Sequence, residues 1–149
     1  MKNILVKGSG DTLENPKFIK FIKDKAKKNK LVVICGGGTQ ISEALAKAGY
    51  KINYNHLGRV AETKEEKNII KKVLQKEKIK IEKRLNSKNI ETIIPVLKAG
   101  SVECHINADN LTKAYYLGFD YIFVFTLANR SKDKKRIFKD FPRVKIIGI

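Results

Sequence analysis

Short apolar runs rich in β-branched residues alternate along the chain with stretches in which apolar residues recur every three or four positions. The runs cover residues 3–7, 31–35, 90–97, 102–105, 121–126 and 144–149. Each has the length of a strand, and several end at glycines or polar residues. The pattern therefore predicts buried strands at these positions.

Helical periodicity fills the intervals between the runs. Between the first two runs, Phe18 and Ile22 belong to an apolar stripe, and lysines lie mostly on the other positions. The pattern predicts further helices over about 40–48, 61–85, 111–117 and 131–141, and a polar loop through residues 53–56. Repeated alternation of strand and helix predicts an α/β fold, namely a three-layer α/β/α sandwich with a mainly parallel sheet, in one domain over residues 1–149.

Candidate chemistry lies just after three of the predicted strands. Ligands of parallel α/β sheets bind at the carboxyl ends of the strands. Lys7 is followed there by Gly8 and Gly10, and 31–35 runs into Gly36, Gly37 and Gly38. Consecutive glycines leave N–H groups free to point at an anion, and a following helix N-terminus adds partial positive charge. The alternative is a tight structural turn, and the absence of a GK[ST] sequence excludes a Walker loop.

The third strand end is the polar stretch 105–110, which contains Asn107 and Asp109. Either residue could simply cap the helix that follows. Taken alone, capping is the better interpretation of this stretch.

Taken together and in order, these stretches resemble the amino acid kinase family, which includes acetylglutamate, uridylate, carbamate and aspartate kinases. The resemblance rests on Lys7 with its glycines, the triple glycine with the helix ISEALAKAG, the sequence HLGRV at 56–60, and the run Asn107-Ala108-Asp109 followed by LTKAYYLGFDYIFVFT. It extends over nearly the whole chain.

The resemblance implies a phosphotransferase that moves a phosphoryl group from ATP, with Mg²⁺, to a small anionic acceptor: a carboxylate, a carbamate or a phosphate. It implies catalytic roles for Lys7, which would neutralise the transferring group, and for Asp109, which would orient the lysines. Acceptor and phosphate binding would fall to Gly8, Gly10, Gly36, Gly37, Gly38, Arg59 and Asn107. Lysines, amides and a metal suffice for such a reaction because it depends on positioning and charge stabilisation.

The chain departs from this family after Thr126. Members usually exceed 200 residues, and here about twenty residues remain where the nucleotide lobe would lie. We therefore expect a nucleotide lobe shortened after about residue 126. Lys132, Lys134 and Lys135 fall in this stretch, but their pattern is typical of a solvated helix face. The alternative function is a non-catalytic anion-binding, metabolite-binding or oligomerising module that lost the ATP lobe.

The formal net charge of +17 arises from 32 Lys and Arg against 15 Asp and Glu, and 27 of the 32 are lysines. Arginine is the residue that recognises phosphate with a planar fork. The lysine excess therefore indicates a solvated basic surface first, and electrostatic nucleic-acid binding is the third function considered.

The remaining features narrow the class of protein. No apolar run is long enough to span a bilayer, and the N-terminus does not read as a signal peptide, so we expect a cytoplasmic protein without membrane contact. Two cysteines, Cys35 and Cys104, are too few for a disulfide framework. With His56 and His105 they lack the spacing of a metal site. We also expect a possible homodimer, because relatives of the resembled family assemble through the sheet and the long helix.

Overall fold

The structure is a computed structural model that describes residues 1–87 and 89–149. The strands are β1 (Asn3–Gly8), β2 (Lys30–Cys35), β3 (Asn53–Asn55), β4 (Gly58–Val60), β5 (Ile90–Ile93), β6 (Val96–Ala99), β7 (Val102–His105), β8 (Tyr121–Thr126) and β9 (Val144–Gly148). The helices are α1 (Pro16–Ala26), α2 (Gly38–Lys47), α3 (Lys64–Leu85), α4 (Ala108–Ala114) and α5 (Ser131–Ile137).

Five strands form one parallel sheet in the order β5-β2-β1-β8-β9. β1 lies at the centre, and its register pairs Val6 with Val33 of β2 on one side and with Phe123 of β8 on the other. The central strands are apolar on both faces, as expected for a parallel sheet covered on both sides. The structure thus confirms the predicted α/β fold with a parallel sheet.

Helices cover the two faces of the sheet. On one face, Val6 and Val33 pack in a single apolar cluster with Phe18 of α1 and Ile81 of α3. On the other face, a second cluster joins Leu5, Ile34 and Ile122 of the sheet to Leu111 of α4. Successive residues of β1 therefore serve opposite layers, which follows from the period of two in a strand.

The long helix α3 begins at Lys64 rather than at the predicted residue 61. A reciprocal capping box sets this start: the Thr63 side chain accepts from the N–H of Glu66, and the Glu66 carboxylate accepts from the N–H of Thr63. The first half of α3 packs Ile70 and Leu74 against Ile41 and Leu45 of α2.

One apolar stretch and one polar stretch fold differently from their predictions. The run 90–97 is not one strand, because it divides at Pro95, which has no N–H to donate to a ladder. β5 ends before that proline, and β6 leaves the sheet to form an antiparallel hairpin with β7. The predicted polar loop at 53–56 is part of another hairpin, β3-β4.

Three helices have shifted ends. α2 starts at Gly38 with Gly37 as its N-cap, instead of starting after Thr39. α4 starts at Ala108 rather than 111, because the Asn107 side chain accepts hydrogen bonds from the N–H groups of Asp109 and Asn110. α5 ends at Ile137 instead of 141. In the described ranges, no helix is long and apolar enough to cross a membrane.

Candidate anion-binding site

The carboxyl ends of β1, β2 and β8 surround a cavity of about 180 Å³. The chain leaves β1 toward α1 on one face of the sheet, and it leaves β8 toward α5. The end of α5 lies on the opposite face, where Lys113 of α4 sits over the Phe138 ring at 5.7 Å. Such a switch point between neighbouring strands is where parallel α/β sheets bind ligands.

A buried cluster of three charges forms the floor of the cavity. Lys7 Nζ lies 3.2 Å from Asp109 Oδ1, and Lys134 Nζ contacts the other carboxylate oxygen, Oδ2. Lys7 and Asp109 are only 4% and 7% exposed. β1 directs Lys7 toward the α4 layer because Lys7 shares its face with Leu5, and the first turn of α4 supplies Asp109.

Burial and charge act in opposite directions on these groups. Burial lowers the pKa of Lys7 below its ordinary value and outweighs the opposing pull of Asp109, while Lys134 and Arg130 lower it further. Burial alone would raise the pKa of Asp109, but Lys7 and Lys134 outweigh it and hold that pKa below the ordinary value. Asp109 is therefore ionised, and the cluster places two lysines around its one carboxylate.

Glycines form a second wall, where the β1 and β2 loops approach closely. The Gly36 N–H donates to the Gly8 carbonyl at 2.8 Å, and a Cβ on Gly36 would lie 2.8 Å from that same oxygen. A Cβ on Gly10 would lie 3.0 Å from the Gly37 Cα. Both glycines are thus needed for this approach, since heavier residues would push the loops apart.

The N-terminus of α2 opens into the same cavity. Gly37 is its N-cap and offers no side-chain hydrogen bond to the first turn, and Gly37, Gly38 and Thr39 all line the cavity. Uncapped N–H groups at the start of a helix attract negative charge. Because the Gly36 N–H is already used by Gly8, the available amides belong to the residues after it.

Arg59 reaches the cavity from the β3-β4 hairpin. Its Nη2 donates to the Gly38 carbonyl at 2.9 Å and to Ser42 Oγ at 3.0 Å, and its guanidinium lies over the Tyr54 ring at 5.0 Å. Its Nη1 is buried and has no hydrogen-bond partner among residues 1–87 and 89–149. The guanidinium is therefore held in place while one donor stays available for a ligand.

Other polar groups complete the lining. Asp11 accepts from Thr39 Oγ1 at 2.8 Å and from Gln40 Nε2 at 3.1 Å, and it pairs with Arg130 at 3.4 Å. The buried Thr126 Oγ1 has no hydrogen-bond partner within the described part of the chain. Burial and, second, the charge of Arg59 lower the pKa of His105 to about 4, so this imidazole is neutral at pH 7.

The structure brings together eight of the nine residues that the sequence predicts for the site. They are Lys7, Gly10, Gly36, Gly37, Gly38, Arg59, Asn107 and Asp109, all of which line the cavity. Gly8 does not line the cavity. It is the last residue of β1, and a Cβ there would lie 2.6 Å from the Leu13 side chain. Asn107 also caps α4, so the capping interpretation of that stretch is confirmed.

Sequence reasoning missed several lining residues, among them Asp11, Thr126, Arg130 and Lys134. Lys134 does not belong to a purely solvated face as predicted, since α5 turns it onto Asp109. Nothing in the spacing of Lys132, Lys134 and Lys135 distinguishes one from the others. Asp11 directly follows Gly10 at a predicted strand end, and this position is the signal in the sequence that could have identified it as a lining residue.

The chain matches no protein-family profile and no curated protein sequence. Solved structures do share its fold. The smu.665 protein of Streptococcus mutans UA159 superposes with a TM-score of 0.64 at 16% identity, over 83% of this chain and 72% of that one.

Two structures of N-acetylglutamate synthase from Neisseria gonorrhoeae superpose over 99% of this chain, both at 11% identity. One, complexed with coenzyme A and N-acetyl-glutamate, gives a TM-score of 0.62 over 54% of its length. The other, with coenzyme A and L-arginine, gives 0.64 over 56%. This chain therefore spans about half the length of those synthases, and the likeness shows a shared fold.

These findings correct the identification as an amino acid kinase. The neighbours with a named activity are synthases complexed with coenzyme A, so the predicted kinase fold, the ATP-dependent phosphotransferase function and the cofactors ATP and Mg²⁺ are wrong by this comparison. The residues beyond Thr126 include α5, which leads to the α4 side of the sheet, and β9, which pairs with β8 as an edge strand.

The residues of the cavity also do not fit a whole coenzyme A molecule. Clefts that enclose drug-sized ligands measure about 300–1,000 Å³, and this cavity measures about 180 Å³.

Proposed function

We propose that this protein binds a small metabolite bearing carboxylate groups at the carboxyl ends of β1, β2 and β8. The observation that carries the proposal is the Lys7–Asp109–Lys134 cluster, buried in one cavity with the uncapped start of α2. A carboxylate entering this cavity would meet an excess of positive charge in a place shielded from water, where ion pairs are stronger than at the surface.

Two parts of the cavity would share the ligand. Arg59 Nη1 and the free amides at the start of α2 are donors that suit a carboxylate, and a buried donor without a partner is costly until a ligand satisfies it. Lys7 and Lys134 would attract a second negative group. In this arrangement Lys7 and Asp109, for which the family resemblance implied catalytic roles, act in binding: Lys7 supplies charge, and Asp109 holds the two lysines in position.

N-acetyl-L-glutamate is the probe that this proposal favours. It carries two carboxylates, it is small, and it is named in the complex of one structural neighbour. Binding of this compound is measured by isothermal titration calorimetry, beside its neutral dimethyl ester and beside coenzyme A. We expect the diacid to bind and the ester to fail, since the cavity selects charge.

The variant Arg59→Gln tests the geometry, and Lys132→Gln is the matched control. Loss of a charge-assisted hydrogen bond costs about 1.5–3 kcal/mol, so Arg59→Gln should weaken binding roughly 10–150-fold. Lys132 is exposed on α5 close to Lys134 in sequence but does not line the cavity, and its replacement should leave the affinity unchanged. Equal affinity for acid and ester, binding of coenzyme A alone, or an unaffected Arg59→Gln protein would contradict the proposal.

A further inference from the structure

A second feature, independent of the cavity, lies on the outer surface of α1 and α3. On α3, the side chains Lys72, Lys76, Lys80 and Lys83 recur every three or four positions, so they form one stripe along the helix, with Ile79 beside them. They frame a shallow groove together with Gln75. The stripe extends over roughly 16 Å of helix, because each residue rises by about 1.5 Å.

The α1 helix continues this positive surface. Arg84 of α3 lines a shallow cleft together with Lys20 and Lys23 of α1 and with Lys27, the residue that caps its C-terminal end. Arg84 also pairs with Glu14 just before α1, at 3.2 Å. The two helices are therefore neighbours. The cations that line their two grooves are together called the basic face, which consists of Lys20, Lys23, Lys27, Lys72, Lys76, Lys80, Lys83 and Arg84.

Carboxylates neutralise only part of the basic face. Asp24 pairs with Lys27 at 2.8 Å, and the buried Glu77 pairs with Lys80 at 3.0 Å. Five exposed lysines have no carboxylate partner within the described ranges of the chain: Lys20, Lys23, Lys72, Lys76 and Lys83. Lysines four positions apart on a helix repel one another, so this stripe is destabilising until an anion covers it.

We propose that the basic face binds the phosphate backbone of a double-stranded nucleic acid without sequence preference. The charge complementarity favours a polyanion, and the span of the α3 stripe matches about half of one turn of a duplex. Lysines on flexible stems act as point charges, and they neutralise phosphates without reading bases.

The composition of the face argues against other partners. Protein interfaces are enriched in aromatic residues and depleted of lysine, and the basic face has many lysines and no aromatic residue. Single strands are held by aromatic stacking, which it does not offer. A helix that inserts into a membrane surface needs an open apolar side, but Ile70, Leu74 and Ile81 of α3 are buried in the core.

Fluorescence anisotropy of a labelled 20-base-pair duplex of random sequence tests this proposal, with salt varied from 50 to 200 mM. Five neutralised phosphates give a slope of log affinity against log salt of about −4.5, which is roughly a 500-fold loss over this range. The quadruple variant Lys23→Gln, Lys72→Gln, Lys76→Gln and Lys83→Gln should reduce the slope to about −1.

The control carries the same charge change on other exposed lysines: Lys132→Gln, Lys135→Gln, Lys139→Gln and Lys145→Gln. It should retain the steep slope if the basic face is the site. Circular dichroism checks that both variants fold, and N-acetyl-glutamate titration reports the cavity separately. Equal weakening in both variants, absence of duplex binding at 50 mM salt, or tighter binding of the single strand or of phosphatidylserine vesicles would overturn the proposal.

Discussion

The buried charge cluster makes a specific prediction for the variant Asp109→Asn, which removes the carboxylate shared by two lysines. Lys134 has a side chain 18% exposed and can turn toward water, whereas the Lys7 side chain is only 5% exposed. The variant therefore leaves Lys7 as an unpaired buried charge. Breaking a buried ion pair in this way costs about 3–5 kcal/mol.

We expect Asp109→Asn to lower the free energy of unfolding by about 3–4 kcal/mol at pH 7, near the lower end of that range, because Lys7 can lose its proton. A chain of this size should then melt roughly 6–16 °C lower. The pKa of Lys7 is already below the ordinary lysine value, and loss of the Asp109 charge should lower it further. Between its folded and its unfolded pKa, the unfolded chain binds more protons, so stability rises with pH across that window. The penalty should consequently shrink from pH 7 to pH 9.5.

Urea unfolding followed by circular dichroism, with the unmodified protein measured at both pH values, tests this prediction. Asp133→Asn is the matched control, since Asp133 is exposed and, among the residues that the structure describes, pairs only with Arg136 at 3.6 Å. Its effect should stay within about 0.5 kcal/mol. Adding Lys7→Met to Asp109→Asn should recover at least half of the lost stability, because no buried charge remains. A cost below about 1 kcal/mol at pH 7, or a penalty that does not shrink at pH 9.5, would refute the reasoning.

Two further predictions concern the hairpin and the histidine beside the cavity. Gly58 has a φ of +124°, and a Cβ there would lie 2.8 Å from the Asn107 Cβ. Gly58→Ala should therefore lower the free energy of unfolding, measured with urea, by about 1–3 kcal/mol. Gly118→Ala is the control and should be nearly neutral, because a Cβ at Gly118 meets open space. An equal effect of the two would show that the hairpin contact is unimportant. Burial and the charge of Arg59 lower the pKa of His105 to about 4, so its NMR signals should not titrate between pH 6 and 8. The folding stability should fall as the pH drops from about 6.5 toward 4, because the unfolded chain protonates this histidine first. An NMR titration midpoint of His105 near 6.5 would contradict this prediction.

The sequence predicts the sheet well because strand formation depends on short-range pattern. β8 has the predicted bounds, and β2 differs by one residue at its start, since β-branched apolar runs fit a sheet buried on both sides. The prediction of one strand over 90–97 is wrong because a continuous apolar run does not show which residues belong to the same sheet. Pro95 was the visible signal for its division.

The candidate site was partly predictable for a similar reason. Residues after parallel strands meet at one edge of the sheet whatever the details of the fold, and Lys7, Gly37 and Asp109 meet there. Which function this edge serves was not predictable in the same way. A motif resemblance suggested a kinase, and the structural comparison overturned it, because similar strand-end glycines occur on folds with different activities.

What the sequence determined by itself is local: the apolar strands β2 and β8, the glycine turn after β2 and the cap at Asn107, each set by neighbours a few residues away. Only the tertiary structure decided which of the C-terminal lysines joins the charge cluster around Asp109. Lys134 and Lys135 have the same local pattern, yet packing of α5 places the first on Asp109 and leaves the second in solvent. That choice depends on contacts between distant segments, and hydrophobic period and charge pattern carry no information about them.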